Sequence, residues 1–241
     1  MCYNFAMSGH SHWSTIKNKK EATDAAKGKM FGRVSREIML AISEGGNVTD
    51  PNHNIRLRAA MDKAKEVNMP KENITRLFNR IEERSQAMVE VVYEALGPGP
   101  INYLIKTATD NPRRTQTDLK IILDKNNGKM VSKNAVMYNY DLLAMFYLEN
   151  KPENRVLELI EAVGAVDFEK DGKDYYVYVN YSEFAEAWKK AREMGFDKAP
   201  ELVYKPKQVV AVTPEMAEKA YSLAQKLEEV DEVQDIYLNI E

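Results

Sequence analysis

The sequence predicts an α+β protein of three domains, a helical N-terminal domain and two ferredoxin-like α/β domains, with the third inserted into the second. Three observations carry that prediction. Residues 14–84 keep apolar positions at helical spacing, as in the stripe Phe31, Val34, Ile38 and Ile42. At Ala87 the pattern changes to strands rich in β-branched residues, separated by Gly97-Pro98-Gly99-Pro100. Beyond that point strands and helices alternate in the order of split β-α-β units.

A first helical segment, Thr15 to Ala26, is polar and basic with few apolar anchors, and needs packing or a bound partner to be stable. The second, Lys29 to Ser43, stops at Gly45-Gly46. A turn-rich stretch leads to a third helix over Asn54 to Val67, which buries Leu57, Met61 and Ala64. Pro70 stands at the start of a fourth, whose core stripe is Ile74, Leu77, Phe78 and Ile81. MVEVVYEAL and INYLIKTAT then read as two strands. Asp110-Asn111-Pro112 supplies a side-chain cap and a first-turn proline for a helix running to Asn126.

Leu142 to Glu149 is a further strand. After it come a helix (VLELIEAVGA), a hairpin around Asp171-Gly172, a helix from Ser182 and a strand over Glu201 to Lys205. The chain ends with a strand (Val209 to Val212), a helix capped by Thr213 (Pro214 to Glu229) and a last strand (Val233 to Ile240). The simplest assignment is a helical domain over 8–84, a discontinuous domain over 85–151 and 208–241, and an inserted domain over 152–207.

The composition, 44% hydrophobic and 29% charged over 241 residues, is that of a globular protein. No apolar run approaches the roughly 20 residues of a membrane helix. The leader MCYNFAM is short and lacks a positive flank, so it does not read as a secretory signal, and a cytoplasmic location is expected. Cys2 is the one cysteine, which excludes a disulfide scaffold or a cysteine metal site. The three histidines all precede Asn54, no nucleophile elbow is present, and His10, His12 and His53 lack a completing ligand. No enzymatic activity, metal or cofactor is expected.

Charge is the informative quantity. Residues 8–84 hold 15 Lys and Arg against 10 Asp and Glu, whereas residues 85–241 hold 19 against 27. The positive excess is densest over Ser8 to Arg36, in Lys17, Lys19, Lys20, Lys27, Lys29, Arg33 and Arg36. Such a cluster suits a phosphate backbone, because contact releases condensed counterions; the bland alternative is a solvated helical face. His10 and Trp13 lie beside it, as rings able to stack on a base or, equally, to staple the N-terminus. Arg113 and Arg114 sit in the first turn of their helix, where a cation opposes the helix dipole, so an anionic ligand or a structural carboxylate is the expected partner. The acidic Glu228, Glu229, Asp231, Glu232 and Asp235 read as a solvated surface. No base-reading set is visible.

The motifs MSGHSHWSTIKNKK from Met7, EGG from Glu44, RLRAAMDKAKEVNMPKENI from Arg56, YEALGPGP from Tyr93, TDNPRRT from Thr109 and the ending DIYLNIE resemble one family over residues 7–241. It is the YebC/PmpR family, bacterial proteins usually described as transcriptional regulators, with a mitochondrial member that activates translation of cytochrome c oxidase subunit I. The resemblance implies three domains and either DNA binding at promoters or action on the ribosome to relieve stalled elongation. Residues 1–6 precede the methionine at which members commonly begin, His12 stands for a common lysine, and Pro100 for a common glycine. The expected partner is therefore nucleic acid, DNA or ribosomal RNA; a protein-interaction adaptor is the remaining alternative.

Overall fold

The computed structural model describes residues 24–83 and 87–240. In chain order these form α1 (Asp24–Glu44), α2 (Ile55–Glu66), α3 (Lys71–Glu83), β1 (Val89–Leu96), β2 (Asn102–Thr109), α4 (Pro112–Lys125) and β3 (Lys129–Met130). There follow β4 (Tyr140–Leu148), α5 (Glu153–Val163), β5 (Asp167–Asp171), β6 (Asp174–Asn180), α6 (Phe184–Glu193), β7 (Glu201–Pro206), α7 (Pro214–Leu227) and β8 (Val233–Leu238). The described chain divides into two compact units, residues 24–137 with 212–238 and residues 138–211 with 239–240. Among the described residues no helix is long and apolar enough to cross a membrane.

In the first unit the three helices share a core of Val34, Ile38, Ala41 and Ile42 against Leu57, Ala60, Ala64, Met69 and Leu77, largely the positions that helical spacing selects. The break expected between Ala26 and Lys29 is absent. The helix runs through Gly28, since one glycine costs a helix only about 1 kcal/mol. It ends where expected, for two separate reasons. A Cβ on Gly45 would lie 2.3 Å from the Asn54 side-chain nitrogen, and Gly46 adopts φ +67°. Asn54 is buried and fully employed. Its Oδ1 accepts from Leu57 N at 3.0 Å as the cap of α2, while its Nδ2 donates to Ala41 O at 2.8 Å and Val48 O at 3.2 Å.

The first sheet has the antiparallel order β3-β1-β2-β8. Leu119 and Leu123 of α4 and Ala220, Leu223, Ala224 and Leu227 of α7 are buried, and the Tyr103 hydroxyl donates to Ala220 O at 3.0 Å. That ring leaves no room for a side chain on Gly97, whose Cβ would lie 2.3 Å from it, so packing explains the glycine. Asn111 caps α4 and Thr213 caps α7, each followed by a proline at the first position. Glu94 is buried in β1, where its carboxylate accepts from the backbone N–H groups of Val136 and Met137 at 2.7 and 2.9 Å and secures the loop after β3.

Two further sequence expectations are corrected. Tyr140–Leu148, expected in the discontinuous domain, pairs instead with β6 and β7 in the second sheet, of order β5-β6-β4-β7. Its alternation of apolar residues fits either sheet, and only the partner strands decide. The expected strand over Val209–Val212 reduces to a single parallel bridge, Val210 to Ile240. The segment is short, and the residue after it is already the cap of α7. β3, two residues at the sheet edge, has no sequence signal of its own. In the second unit α5 and α6 bury Val156, Leu159, Val163, Ala187 and Ala191 against Phe146, Leu148, Tyr175, Val177 and Val179. On that sheet Lys205 Nζ lies 2.7 Å from Asp167, 2.6 Å from Glu169 and 4.0 Å from the centre of the Tyr178 ring.

Asn54→Ala removes a cap and two buried hydrogen bonds together, and should lower unfolding free energy by about 2–3 kcal/mol. Urea denaturation measures this, and Gly45→Ala should reproduce much of the loss by displacing the same side chain.

Candidate nucleic-acid interface

The sequence singles out eleven residues. His10, Trp13, Lys17, Lys19 and Lys20 lie outside the described residues. Lys27 is exposed near the start of α1. The next three cations on α1 do not face open solvent. Arg33 meets Glu228 at 3.5 Å, with side chains only 14% and 15% exposed, and Arg36 meets Asp231 at 3.6 Å. Lys29 belongs to the same group: burial pushes its amine below the ordinary lysine range and Arg33 adds to this, while Glu228, Glu229 and Asp231 oppose it. The acidic turn after α7, expected to be a solvated surface, is instead the counter-charge of α1. Sequence separation of nearly two hundred residues hides that pairing.

Arg33 and Glu228 face each other without closing a hydrogen bond. Nε and an amino group of Arg33, and one carboxylate oxygen of Glu228, are buried and unbonded. Two ions so placed lose hydration and regain only part of it as mutual attraction.

Arg113 is exposed. Arg114 has the carboxylate partner that its place in the helix suggests: Glu232 accepts from its guanidinium, and Asp110 lies 3.7 Å away. The Glu232 hydrogen bond raises the Arg114 pKa above the ordinary arginine value, so this charge is held at every pH of interest. Glu232 is itself fixed, because its backbone carbonyl accepts from Ala108 N at 2.9 Å at the end of β2. Arg56, another cation of the basic motifs, is likewise committed, to Glu44 and, at 2.8 Å, to Glu90.

These contacts bring Arg36 and Arg114, which come from separate predicted constellations, to one groove of about 430 Å³. α1 contributes Phe31, Gly32, Ser35, Arg36 and Met39; α3 contributes Asn73, Arg76 and Leu77; Met88, the end of β2 and Glu232 complete it. Arg76 escapes sequence reasoning. It is exposed, and its guanidinium donates to Glu72 O at 3.2 Å and Asn73 Oδ1 at 2.9 Å, with no carboxylate in ion-pairing range among the described residues. The sequence shows only one arginine among the many charges of a helix surface. Among the described residues no cluster of three or more His, Cys, Asp or Glu can hold a metal, and His53 Nδ1 lies 3.0 Å from Asp50.

A helical N-terminal region and two four-stranded antiparallel sheets with helices define a multidomain α+β protein. Residues 11–84 match the TACO1/YebC protein N-terminal domain and residues 88–240 the TACO1/YebC second and third domain. The chain belongs to the TACO1/YebC family. It is 36% identical over 239 residues to a probable transcriptional regulatory protein of Trichlorobacter lovleyi, covering 98% of this chain and 96% of the relative. With another so described, from Lacticaseibacillus paracasei, the identity is 34% over 237 residues, covering 96% and 97%. The crystal structure of a conserved hypothetical protein from Aquifex aeolicus superposes with a TM-score of 0.85 at 30% identity, covering 95% of this chain and 96% of that one.

Arg33→Ala should destabilise by on the order of 2–3 kcal/mol by leaving Glu228 buried alone, whereas the double change Arg33→Met, Glu228→Met should restore stability to within about 1 kcal/mol. Equilibrium unfolding of the two single variants and the double variant tests this.

Proposed function

We propose that this protein is a nucleic-acid-binding regulator of gene expression that acts on DNA in transcription. The observation that carries the reading is the set of basic side chains on the helical region that its own carboxylates do not neutralise. Lys27, Arg58, Lys71 and Arg76 are exposed and have no acidic partner in ion-pairing range among the described residues, as is also true of Arg113 on α4. Cations left free in a protein of net charge −3 are available to a phosphate backbone, which supports this reading. The names of the relatives, probable transcriptional regulatory proteins over nearly the full chain, support the same conclusion. Lys17, Lys19 and Lys20, which precede the described residues, add positive charge to the same stretch of sequence.

A second reading, sequence-independent contact with ribosomal RNA in translation, is favoured by one feature of α1. A recognition helix presents a free row of polar side chains to a major groove, but the row Lys29, Arg33 and Arg36 is turned toward Glu228, Glu229 and Asp231. Free cations elsewhere suit backbone phosphates rather than base edges, and backbone contacts position without specifying sequence.

The purified protein should bind duplex DNA with an affinity that falls steeply with salt. Lys27→Glu with Lys71→Glu should flatten that dependence by about one unit of log–log slope per lost phosphate contact. If a promoter duplex is retained no better than random duplex while ribosomes co-sediment in a salt-sensitive manner, the transcriptional reading gives way to the ribosomal one. An unaltered salt slope in the variant overturns both.

A further inference from the structure

We propose that the groove between α1, α3 and the end of β2 is a subsite for a single unstacked nucleotide, with its phosphate on Arg76 and Arg36 and its base against Phe31 and Met39. This rests on the nucleic-acid reading above and adds where one nucleotide of a single strand is held.

The groove has two chemically different sides. Its apolar side is made by Phe31 and Met39 of α1, Leu77 of α3 and Met88, residues at the edge of the helical core that remain partly accessible except for Leu77. A ring and two thioethers form the kind of wall on which the face of a base rests. The polar side carries three guanidinium groups from three different elements, and they are not equivalent. Arg114 is taken by Glu232 and Asp110. Among the described residues Arg36 has only Asp231, at 3.6 Å, and that carboxylate is 76% exposed, so water competes for it. Arg76 has no carboxylate at all among the described residues, and its hydrogen bonds to Asn73 and the Glu72 carbonyl orient the guanidinium without neutralising it. An oriented, uncompensated guanidinium is suited to a phosphate, where it can form paired charge-assisted bonds.

Size and charge both restrict the occupant. About 430 Å³ lies within the roughly 300–1,000 Å³ of small-ligand pockets, enough for one nucleotide and too little for a base pair. Stacked bases in a duplex expose only edges, so a base must be splayed from a single strand to reach the apolar wall. Asp110 and Glu232 also line the groove and together outweigh the single charge of Arg114, which disfavours a second phosphate. RNA and DNA strands share this chemistry.

The test uses the full chain and short fluorescein-labelled single strands of RNA and DNA of one sequence, with the matching DNA duplex, read by anisotropy. Arg76→Ala should weaken single-strand binding about tenfold, the loss expected for one charge-assisted phosphate contact, and duplex binding by a smaller factor, whereas Phe31→Leu should leave duplex binding within about twofold. Phe31→Leu keeps an apolar group in the helical core but removes the ring, and should weaken single-strand binding about fivefold. A loss in either strand supports the subsite, and the larger loss identifies the strand. If both variants bind single strands as the parent does, while Lys27→Glu with Lys71→Glu abolishes binding, the groove proposal fails and nucleic-acid binding stands. If the parent binds neither single strand nor duplex, both fail together.

Discussion

The charge contact between α1 and the turn that follows α7 is the constraint on which the first unit depends. Lys29, Arg33 and Arg36 lie on one side of a helix, and Glu228, Glu229 and Asp231 come from a turn far along the chain. The turn is anchored to β2 through the Glu232 carbonyl, and Glu232 also holds Arg114 at the start of α4. One turn therefore sets the position of α1 and α4 relative to the first sheet, and the groove is the space left between them. The contact contributes more to orientation than to stability, since the Arg33–Glu228 pair is buried yet forms no hydrogen bond.

The same contact changes the meaning of the basic stretch. Phosphate contact and carboxylate contact demand the same side chains, and a run of Lys and Arg does not say which one it serves. Arg33 serves a buried carboxylate within the chain and Arg36 is only loosely matched to an exposed one, whereas Lys27, Lys71 and Arg76 keep their charge outward. A protein that neutralises part of its own positive face holds nucleic acid less indiscriminately than its N-terminal charge suggests, because fewer counterions are released on contact.

Local chemistry was the most legible part of the sequence. Asn111-Pro112 and Thr213-Pro214 start helices because a side-chain oxygen and a fixed φ act within one turn, and Gly46, with its positive φ, ends α1 for an equally local reason. The helical core was legible because Val34, Ile38, Leu57, Ala64 and Leu77 follow the helix period. The placement of Tyr140–Leu148 was not, since a strand's own pattern does not name its partners, and a β-bridge as slight as Val210 to Ile240 falls below what pattern can distinguish from a strand.

For the candidate site the division follows the same line. The sequence by itself determined that positive charge is concentrated toward the N-terminus, that Arg114 needed an anionic partner, and that no metal or nucleophile constellation was to be expected, because residue type and position in a helix carry that information. Only the tertiary structure decided that the partner of Arg114 is Glu232, that α1 is matched to an acidic turn, and that Arg76 stands uncompensated beside Phe31 and Met39. Those are relations between segments far apart in the chain, and charge acts through space with no regard to sequence separation.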